Sequence, residues 1–241
     1  PMPSMVGSIA LTRTSRLLVA LTTHFALFDP ENGELETYLT PPPMPEGHRF
    51  NDGRCDRQGR FWVGTMHNLT RAPEGVLYCL QGLELKAVLH GICIPNSLAF
   101  SPDGATMYFA DSLKYSIEAY DCDAAQARVG RPRVLATTTA PGFPDGSTVD
   151  AEGFLWNAEF FASRIVRYAP DGRVDRIIPM PVDRPTCCAF GGPDLKTLFI
   201  TTTRQNLSPQ QCQEQPLAGS LLCLDADVAG LPESRFSLPN E

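Results

Sequence analysis

Three polar residues stand at corresponding points of the chain, each next to a short apolar run. They are Asn51 in RFNDGRC, Asn96 in CIPNSLAF and Asp145 in GFPDGSTV. An amide oxygen from Asn96, a carboxylate from Asp145 and water form the oxygen-only ligand set that hard cations such as Ca²⁺, Mg²⁺ or Mn²⁺ prefer. A carboxylate at the mouth of a strand can also act as a general base. These residue types point to a metal site, to hydrolytic chemistry, or to both.

A plainer interpretation exists for each residue taken singly. An asparagine ahead of a strand commonly forms an Asx turn, and Asp145 lies between Pro144 and Gly146, which is typical of a turn aspartate. Repetition argues for the functional interpretation. If the chain consists of similar units around an axis, equivalent positions converge at one end of that axis, and Arg49, Asn51, Asn96 and Asp145 then share a pocket.

The elements that must position these residues form an internal repeat. Five units each contain a polar turn, an apolar strand, a short gap and a second strand, and the turn glycines Gly59, Gly104 and Gly153 are spaced by 45 and 49 residues. Repeats of about 40 to 50 residues with about four short strands are typical of a β-propeller. The alternating pattern, rich in Val, Ile, Thr, Phe and Tyr, excludes a helical solenoid. We therefore predict an all-β propeller in one domain, residues 1–241.

The start of the chain bears on how such a ring would close. Pro1 is followed almost at once by a strand pair, with no half-blade before it. Because an open ring leaves unpaired strand edges, a propeller usually pairs its last blade with strands from its first segment. We therefore expect that a segment at the N-terminus is absent from this chain.

Composition excludes several classes of function. The formal net charge is −7 over 241 residues, and no basic run offers a surface for nucleic acid. No window approaches the roughly 18 consecutive apolar residues of a membrane span, and no signal peptide is apparent. The eight cysteines contain no CxxC pair and the four histidines have no zinc-site spacing, which excludes a zinc finger. Scattered cysteines in apolar runs indicate a reducing, cytoplasmic protein.

Several longer motifs carry a resemblance to a known family. RFNDGRCDRQGRFWVGTM, IPNSLAFSPDG with YFADS, FPDGSTVDAEGFLW and PVDRPTCCAFGG together resemble the regucalcin, gluconolactonase and luciferin-regenerating-enzyme family, in the same order and spacing over nearly the whole chain. The resemblance implies a six-bladed propeller whose first blade is missing or incomplete in this chain, with one divalent cation at its axis, Ca²⁺ first and Zn²⁺, Mg²⁺ or Mn²⁺ as alternatives. It also implies lactonase activity on sugar lactones.

The family's functional residues can be transferred by position. Asn96 resembles its asparagine metal ligand, Asp145 resembles the aspartate that is both ligand and catalytic proton-transfer residue, and Arg49 and Asn51 resemble substrate-binding residues. The family's further glutamate ligand, in an N-terminal motif, has no counterpart here, although Asp52 or Glu159 could substitute. Local departures are His67, Asn68 and Leu69 where animal members carry acidic residues, and Ser97 where a glycine is usual.

These observations predict a metal-dependent hydrolase that opens the ester bond of small sugar-type lactones. In this hypothesis the cation polarises the ester carbonyl or a water, and Asp145 takes the proton of the attacking water. Two alternatives remain open: a non-catalytic calcium-binding or interaction propeller, and a hydrolase of other lactones or esters, because fold does not fix function. Cys187 and Cys188 are expected in the core, and Asp111 is expected to brace the ring.

Overall fold

Residues 1–239, which this computed structural model describes, form five antiparallel sheets that follow one another in chain order. Each apolar run becomes a strand because β-branched and aromatic side chains alternate between the two faces of a sheet. The first sheet contains β1 (Ser8–Leu11), β2 (Leu17–Ala20), β3 (Phe25–Phe28) and β4 (Leu35–Leu39). The second contains β5 (His48–Cys55), β6 (Phe61–His67), β7 (Gly75–Gln81) and β8 (Glu84–Ile92).

The remaining three sheets repeat this order. The third contains β9 (Pro95–Phe100), β10 (Thr106–Asp111), β11 (Ser116–Asp123) and β12 (Arg128–Thr137). The fourth contains β13 (Phe143–Val149), β14 (Leu155–Phe160), β15 (Arg164–Tyr168) and β16 (Val174–Pro179). The fifth has three strands, β17 (Pro185–Gly191), β18 (Thr197–Thr202) and β19 (Leu221–Asp225). A short 3₁₀-helix, Ser112–Lys114, follows β10, and α1 (Pro209–Glu214) lies between β18 and β19.

The prediction of an all-β propeller is confirmed, but the prediction of six blades is wrong. In residues 1–239 the sheets number five, and each one is built by one of the five sequence repeats. The first blade, expected to be missing or incomplete, is a full four-stranded sheet, and the three-stranded sheet is the last. A sixth blade was implied by resemblance and not by any repeat in this chain. The single domain over 1–241 stays a prediction, and residues 240 and 241 lie outside the described chain.

The hydrophobic core consists of layers between neighbouring sheets. Phe25 of the first sheet packs against Phe50 of the second, with ring centroids 4.6 Å apart. Trp62 and Phe100 join the second and third sheets, and Trp156 and Phe190 join the fourth and fifth in an edge-to-face pair. Burying each such ring stabilises the fold by about 1.5 to 3 kcal/mol. This layering fixes the angle between successive sheets.

In each of two blades, a buried aspartate carboxylate links the turn of the first hairpin to side chains of the neighbouring strands. Asp150 Oδ2 accepts hydrogen bonds from Trp156 Nε1 at 2.8 Å and Arg167 Nε at 2.9 Å, while its Oδ1 accepts from two backbone N–H groups of the turn. Asp56 does the same for Trp62, at 2.8 Å, in the second sheet. Both carboxylates are buried, and both are fully satisfied as buried charges must be. These turns set where the innermost strands end.

The innermost strands carry β-bulges beside the predicted site residues. In β5 the pair Asn51 and Asp52 lies opposite one residue of β6, and in β13 the pair Asp145 and Gly146 lies opposite one residue of β14. The strand β9 has the same irregularity just after Asn96. Bulges of this kind re-aim side chains and are common next to functional sites. They allow consecutive residues of one strand to face the axis.

The segment 229–237 crosses one end of the propeller. It forms isolated bridges with Asp150 of the fourth blade and with Thr12 of the first, through Gly230 and Phe236. Between these points Glu233 Oε1 accepts a 3.0 Å hydrogen bond from Arg54 Nη1. The segment therefore covers the axis at this end and links three blades. Among the helices of residues 1–239, none is long and apolar enough to cross a membrane.

Candidate active site

An axial cavity of about 780 Å³ opens among the five sheets. Its walls come from the innermost strands β1, β5, β9, β13 and β17, and Glu233 and Ser234 of the crossing segment also line it. This volume lies in the range of small-molecule sites, about 300 to 1,000 Å³. The cavity is therefore large enough for a monosaccharide-sized ligand.

All four predicted site residues line this cavity, and three of them are joined by hydrogen bonds. Arg49 Nη1 donates to Asn51 Oδ1 at 2.6 Å, and Asn51 Nδ2 donates to Asn96 Oδ1 at 3.0 Å. Asn51 Nδ2 also donates to the backbone oxygen of Pro95 at 2.8 Å. The bonds cross from the second blade to the third, so the orientation of the Asn96 amide is fixed from one side.

Ser112 fixes the Asn96 amide from the other side and was not anticipated from the sequence. Asn96 Nδ2 donates to Ser112 Oγ at 2.8 Å, and Ser112 Oγ donates to the backbone oxygen of Pro144 at 2.8 Å. Pro144 directly precedes Asp145, so the network reaches the fourth blade. Because Nδ2 of Asn96 donates to Ser112, the amide oxygen is the atom turned toward Asn51, whose Nδ2 donates to it. The serine in YFADS was the only available sequence signal.

Asp145 reaches the cavity from β13 without a protein counter-charge. Among residues 1–239, no side-chain cation forms an ion pair with it, and its side chain accepts no hydrogen bond from another side chain. Burial raises the pKa of the Asp145 carboxyl well above its ordinary value, and repulsion from Asp52 raises it further. Burial also raises the pKa of Asp52, although the Leu98 N–H, 2.9 Å away, opposes this. Both partly buried carboxyls therefore have raised pKa values, and the charge of Asp52 contributes to the shift at Asp145.

This donor set fits a hard divalent cation. No group of three or more His, Cys, Asp or Glu residues within 1–239 is placed to hold a metal ion. The oxygens of Asp145, Asp52 and Asn96 are instead two carboxylates and one amide, the mixed set that Ca²⁺ and Mg²⁺ accept together with water. A cation there would relieve the repulsion that raises the Asp145 pKa. Glu159 does not join this set, because it is buried against Tyr168 and Arg164 at 2.7 Å.

The wall beside Asp145 differs in part from expectation. Cys188 is buried in the core as predicted, but Cys187 is only partly buried and lines the cavity. Gly146 allows this, because a Cβ on it would lie 2.4 Å from Cys187 Sγ. Burial raises the pKa of the Cys187 thiol to about 12, so the thiol is a neutral wall group at physiological pH.

Aromatic rings form a further part of the wall. Phe143, Phe160 and Phe161 line the cavity, and Phe143 stacks on Tyr115 with centroids 4.7 Å apart. Such rings offer an apolar face to the C–H groups of a ring-shaped ligand.

Asp111, which was expected to brace the ring of blades, accepts hydrogen bonds from the backbone N–H groups of Cys93 and Ile94.

The fold and the cavity define a β-propeller with a small-molecule site at its axis, and comparison with known proteins places it more closely. Residues 1–204 match the model of the family described as SMP-30/Gluconolactonase/LRE-like region, so the chain belongs to that family. This confirms the resemblance seen in the motifs.

Three relatives illustrate the similarity. An L-arabinolactonase of Azospirillum brasilense is 38% identical, over 98% of this chain and 80% of the relative. A 6-deoxy-6-sulfogluconolactonase of Pseudomonas putida is 35% identical, over 98% of this chain and 82% of the relative. A crystal structure of regucalcin from Agrobacterium tumefaciens, described as a calcium-binding protein, is 32% identical with a TM-score of 0.93, covering 98% of this chain and 81% of that one.

Proposed function

We propose that this protein is a lactonase that hydrolyses the ester bond of sugar-type lactones with the help of one divalent cation. The observation that carries the proposal is the convergence of Asn51, Asn96 and Asp145, from three different blades, on one cavity of monosaccharide size. Two relatives in the same family carry the names of sugar lactonases, which supports this reaction class. A relative described as a calcium-binding protein supports the cation and favours Ca²⁺.

The residues that would hold the cation are Asn96, Asp145 and, as second carboxylate, Asp52. When bound, the cation supplies Lewis-acid polarisation of the ester carbonyl and charge stabilisation worth several kcal/mol. Asn51 and Ser112 keep the Asn96 oxygen directed into the site through the hydrogen bonds described above. With two carboxylates and one dication, the site is formally neutral, so Asp52 would take the place of the family's N-terminal glutamate ligand.

Asp145 is the proposed general base. Its carboxylate faces the cavity without a competing protein cation, so it can accept the proton of a water that attacks the lactone carbonyl. General-base catalysis of this type contributes roughly 10²- to 10⁴-fold. Arg49 and Asn51 bind and orient the hydroxyl groups of the substrate. Phe143 and Phe161 form the apolar wall against which a lactone ring can pack.

Turnover measurements with matched lactones test this proposal. We expect hydrolysis of glucono- or arabinono-lactone, loss of that activity with a chelator, and recovery when Ca²⁺ or another divalent cation is added. The Asp145→Ala and Asp145→Asn variants should each lose at least 100-fold in kcat. The control is Asp103→Ala, which removes an exposed turn carboxylate bonded to Ser101 and lies outside the cavity.

The other function classes predict different outcomes. A protein that binds Ca²⁺ tightly but hydrolyses neither sugar-type nor hydrophobic lactones would be a binding propeller, and the lactonase proposal would be wrong. Preferential turnover of hydrophobic lactones or simple esters would keep the mechanism and change the substrate class. Wild-type turnover in Asp145→Ala would exclude Asp145 as base.

All eight cysteines are free thiols, which supports the proposal of a cytoplasmic location.

A further inference from the structure

A second arginine accompanies Arg49 at the cavity, on the loop that follows β6. Arg71 lines the cavity, and its backbone has a φ of 54°, in the left-handed region. His67 holds the loop: its Nδ1 accepts hydrogen bonds from Leu69 N at 3.2 Å and Thr70 N at 3.1 Å, and its backbone oxygen accepts from Arg71 N at 3.2 Å. The loop is therefore ordered by several bonds, and Arg71 stands at the cavity because of them.

Arg49 is oriented by neutral acceptors only. Its Nε donates to Asn68 Oδ1 at 2.7 Å, and its Nη1 donates to the Phe50 backbone oxygen at 2.9 Å and to Asn51 Oδ1. These bonds fix the plane of the guanidinium, but they do not neutralise it. Within residues 1–239, Nη2 of Arg49 and all side-chain nitrogens of Arg71 have no hydrogen-bond partner, and neither arginine pairs with a carboxylate.

Other arginines of the chain, in contrast, form ion pairs with carboxylates. Buried Arg60 pairs with Asp56 at 2.6 Å and buried Arg167 pairs with Asp150 at 2.8 Å, while Arg54 pairs with Glu233 at 3.0 Å. Arg49 is partly buried, and both burial and the charge of Arg71 lower the pKa of its guanidinium. Since arginine stays protonated at neutral pH, two positive charges lie on the cavity wall and neither forms an ion pair with a carboxylate of residues 1–239.

We propose that Arg49 and Arg71 form an anion subsite that binds a negatively charged substituent of the lactone, so that the preferred substrates are anionic sugar lactones. A carboxylate, sulfonate or phosphate group would accept hydrogen bonds from Nη2 of Arg49 and from Arg71. The subsite lies on the second blade, whereas Asp145 lies on the fourth, so the charged group would be held away from the ester that reacts. This inference rests on the proposed lactonase function and specifies its substrate class.

Competition between charged and neutral lactones tests the subsite. The probes are glucono-lactone as the neutral substrate and three relatives of the same ring carrying a 6-phosphate, a 6-sulfonate or a 6-carboxylate. We expect kcat/KM for at least one anionic lactone to exceed that of glucono-lactone by about 10-fold or more, because hydrogen bonds between arginine and an anion are charge-assisted and stronger than those to a neutral hydroxyl. Comparison of the three anions identifies the preferred group.

Substitution of Arg71 separates the subsite from the catalytic residues. Arg71→Ala should lower the ratio of kcat/KM for anionic over neutral lactone by about 10-fold, chiefly through KM, and Arg71→Lys should restore part of it. The matched control is Arg131→Ala, which removes the same charge from the exposed outer strand β12. This control should leave the ratio unchanged. The preference should also weaken as ionic strength rises.

The outcomes distinguish the two proposals. Turnover of neutral lactones with no preference for anionic ones, or an Arg71→Ala ratio equal to wild type, would overturn the subsite and leave the lactonase function in place. If no lactone is hydrolysed, the lactonase proposal fails, and calorimetry with 6-phosphogluconate then tests the subsite directly. Binding that weakens in Arg71→Ala but not in Arg131→Ala supports it, and equal or absent binding overturns it.

Discussion

The side-chain amide of Asn51 donates a 3.0 Å hydrogen bond to Oδ1 of Asn96, and this contact joins the second and third blades at the cavity. An amide oxygen has two lone pairs, so the bond leaves one of them for a cation. Asn96 is held on its other side by Ser112. The proposed ligand is thus fixed from both sides before any cation binds, which lowers the entropic cost of binding.

Removing the Ser112 hydroxyl should impair the site. In Ser112→Ala the Asn96 Nδ2 and the Pro144 backbone oxygen lose their partner in a buried position. An unsatisfied buried group costs about 1 to 3 kcal/mol, so we expect about 10-fold lower kcat and weaker cation binding, measured by kinetics and calorimetry. The control is Ser101→Ala, which loses a hydroxyl bonded to Asp103 outside the cavity. Equal effects of both substitutions would show that Ser112 contributes only to stability.

Divalent cations should stabilise the folded protein through Asp145 and Asp52. Burial raises the pKa of both carboxyls, and the charge of Asp52 raises that of Asp145 further. A ligand at 100 times its Kd contributes about 2.7 kcal/mol to the free energy of unfolding. We expect Ca²⁺ to raise the Tm of wild type in a thermal shift measurement, to have no effect on Asp145→Ala, and to have a smaller effect on Asp52→Asn. A full shift in Asp145→Ala would place the cation elsewhere.

The buried carboxylate Asp150 should matter far more for stability than an exposed one. Asp150→Asn removes the charge that compensates buried Arg167, and breaking a buried pair costs about 3 to 5 kcal/mol. The control is Asp121→Asn, which breaks the exposed pair with Arg133 at 3.0 Å and should cost less than about 1 kcal/mol. Urea unfolding measures both. Similar losses would mean that Glu152 and Asp175 already compensate Arg167.

Thiol labelling should depend on pH in a defined order. Burial raises the pKa of Cys122 to about 11 and that of Cys79 to about 12, whereas Cys223 is exposed. The thiolate is the reactive form, so at pH 8 only about 0.1% of a thiol with pKa 11 can react. We expect iodoacetamide to label Cys223 at pH 8, and Cys122 and then Cys79 only as pH rises toward their pKa values. Peptide mass spectrometry measures each site, with Cys223→Ser as control.

Rapid labelling of Cys79 at pH 8, at the rate of Cys223, would contradict this order. It would show that the second blade opens to solvent, because Cys79 lies in the core layer between the second and third sheets.

The sequence predicted the repeat and therefore the convergence of Asn51, Asn96 and Asp145, since equivalent positions of a propeller meet at its axis. It did not predict Ser112 or Arg71. The role of Ser112 depends on a contact with Pro144, 32 residues away, and that of Arg71 depends on a left-handed backbone residue and on the His67 contacts. Such positions arise from tertiary packing and not from local pattern.

The number of blades shows a different limit. The five repeats visible in the chain each form a sheet, whereas the sixth blade came from likeness to other proteins. At Ser97, in contrast, the structure accounts for a departure from the family pattern that was visible in the sequence. Its φ of 60° explains why a glycine is usual there, and its hydroxyl lies 2.6 Å from Ser147 Oγ, a bond that glycine could not form.

The bulges in β5, β9 and β13 offer a route by which the side chains at the axis can change during evolution. Side chains of a strand alternate between faces, so deleting one residue at a bulge exchanges the set that points to the axis while the neighbouring strand keeps its pairing. New specificity can then arise by short insertions or deletions at three defined positions. Such changes would alter the side chains at the axial cavity without altering the five sheets that hold it.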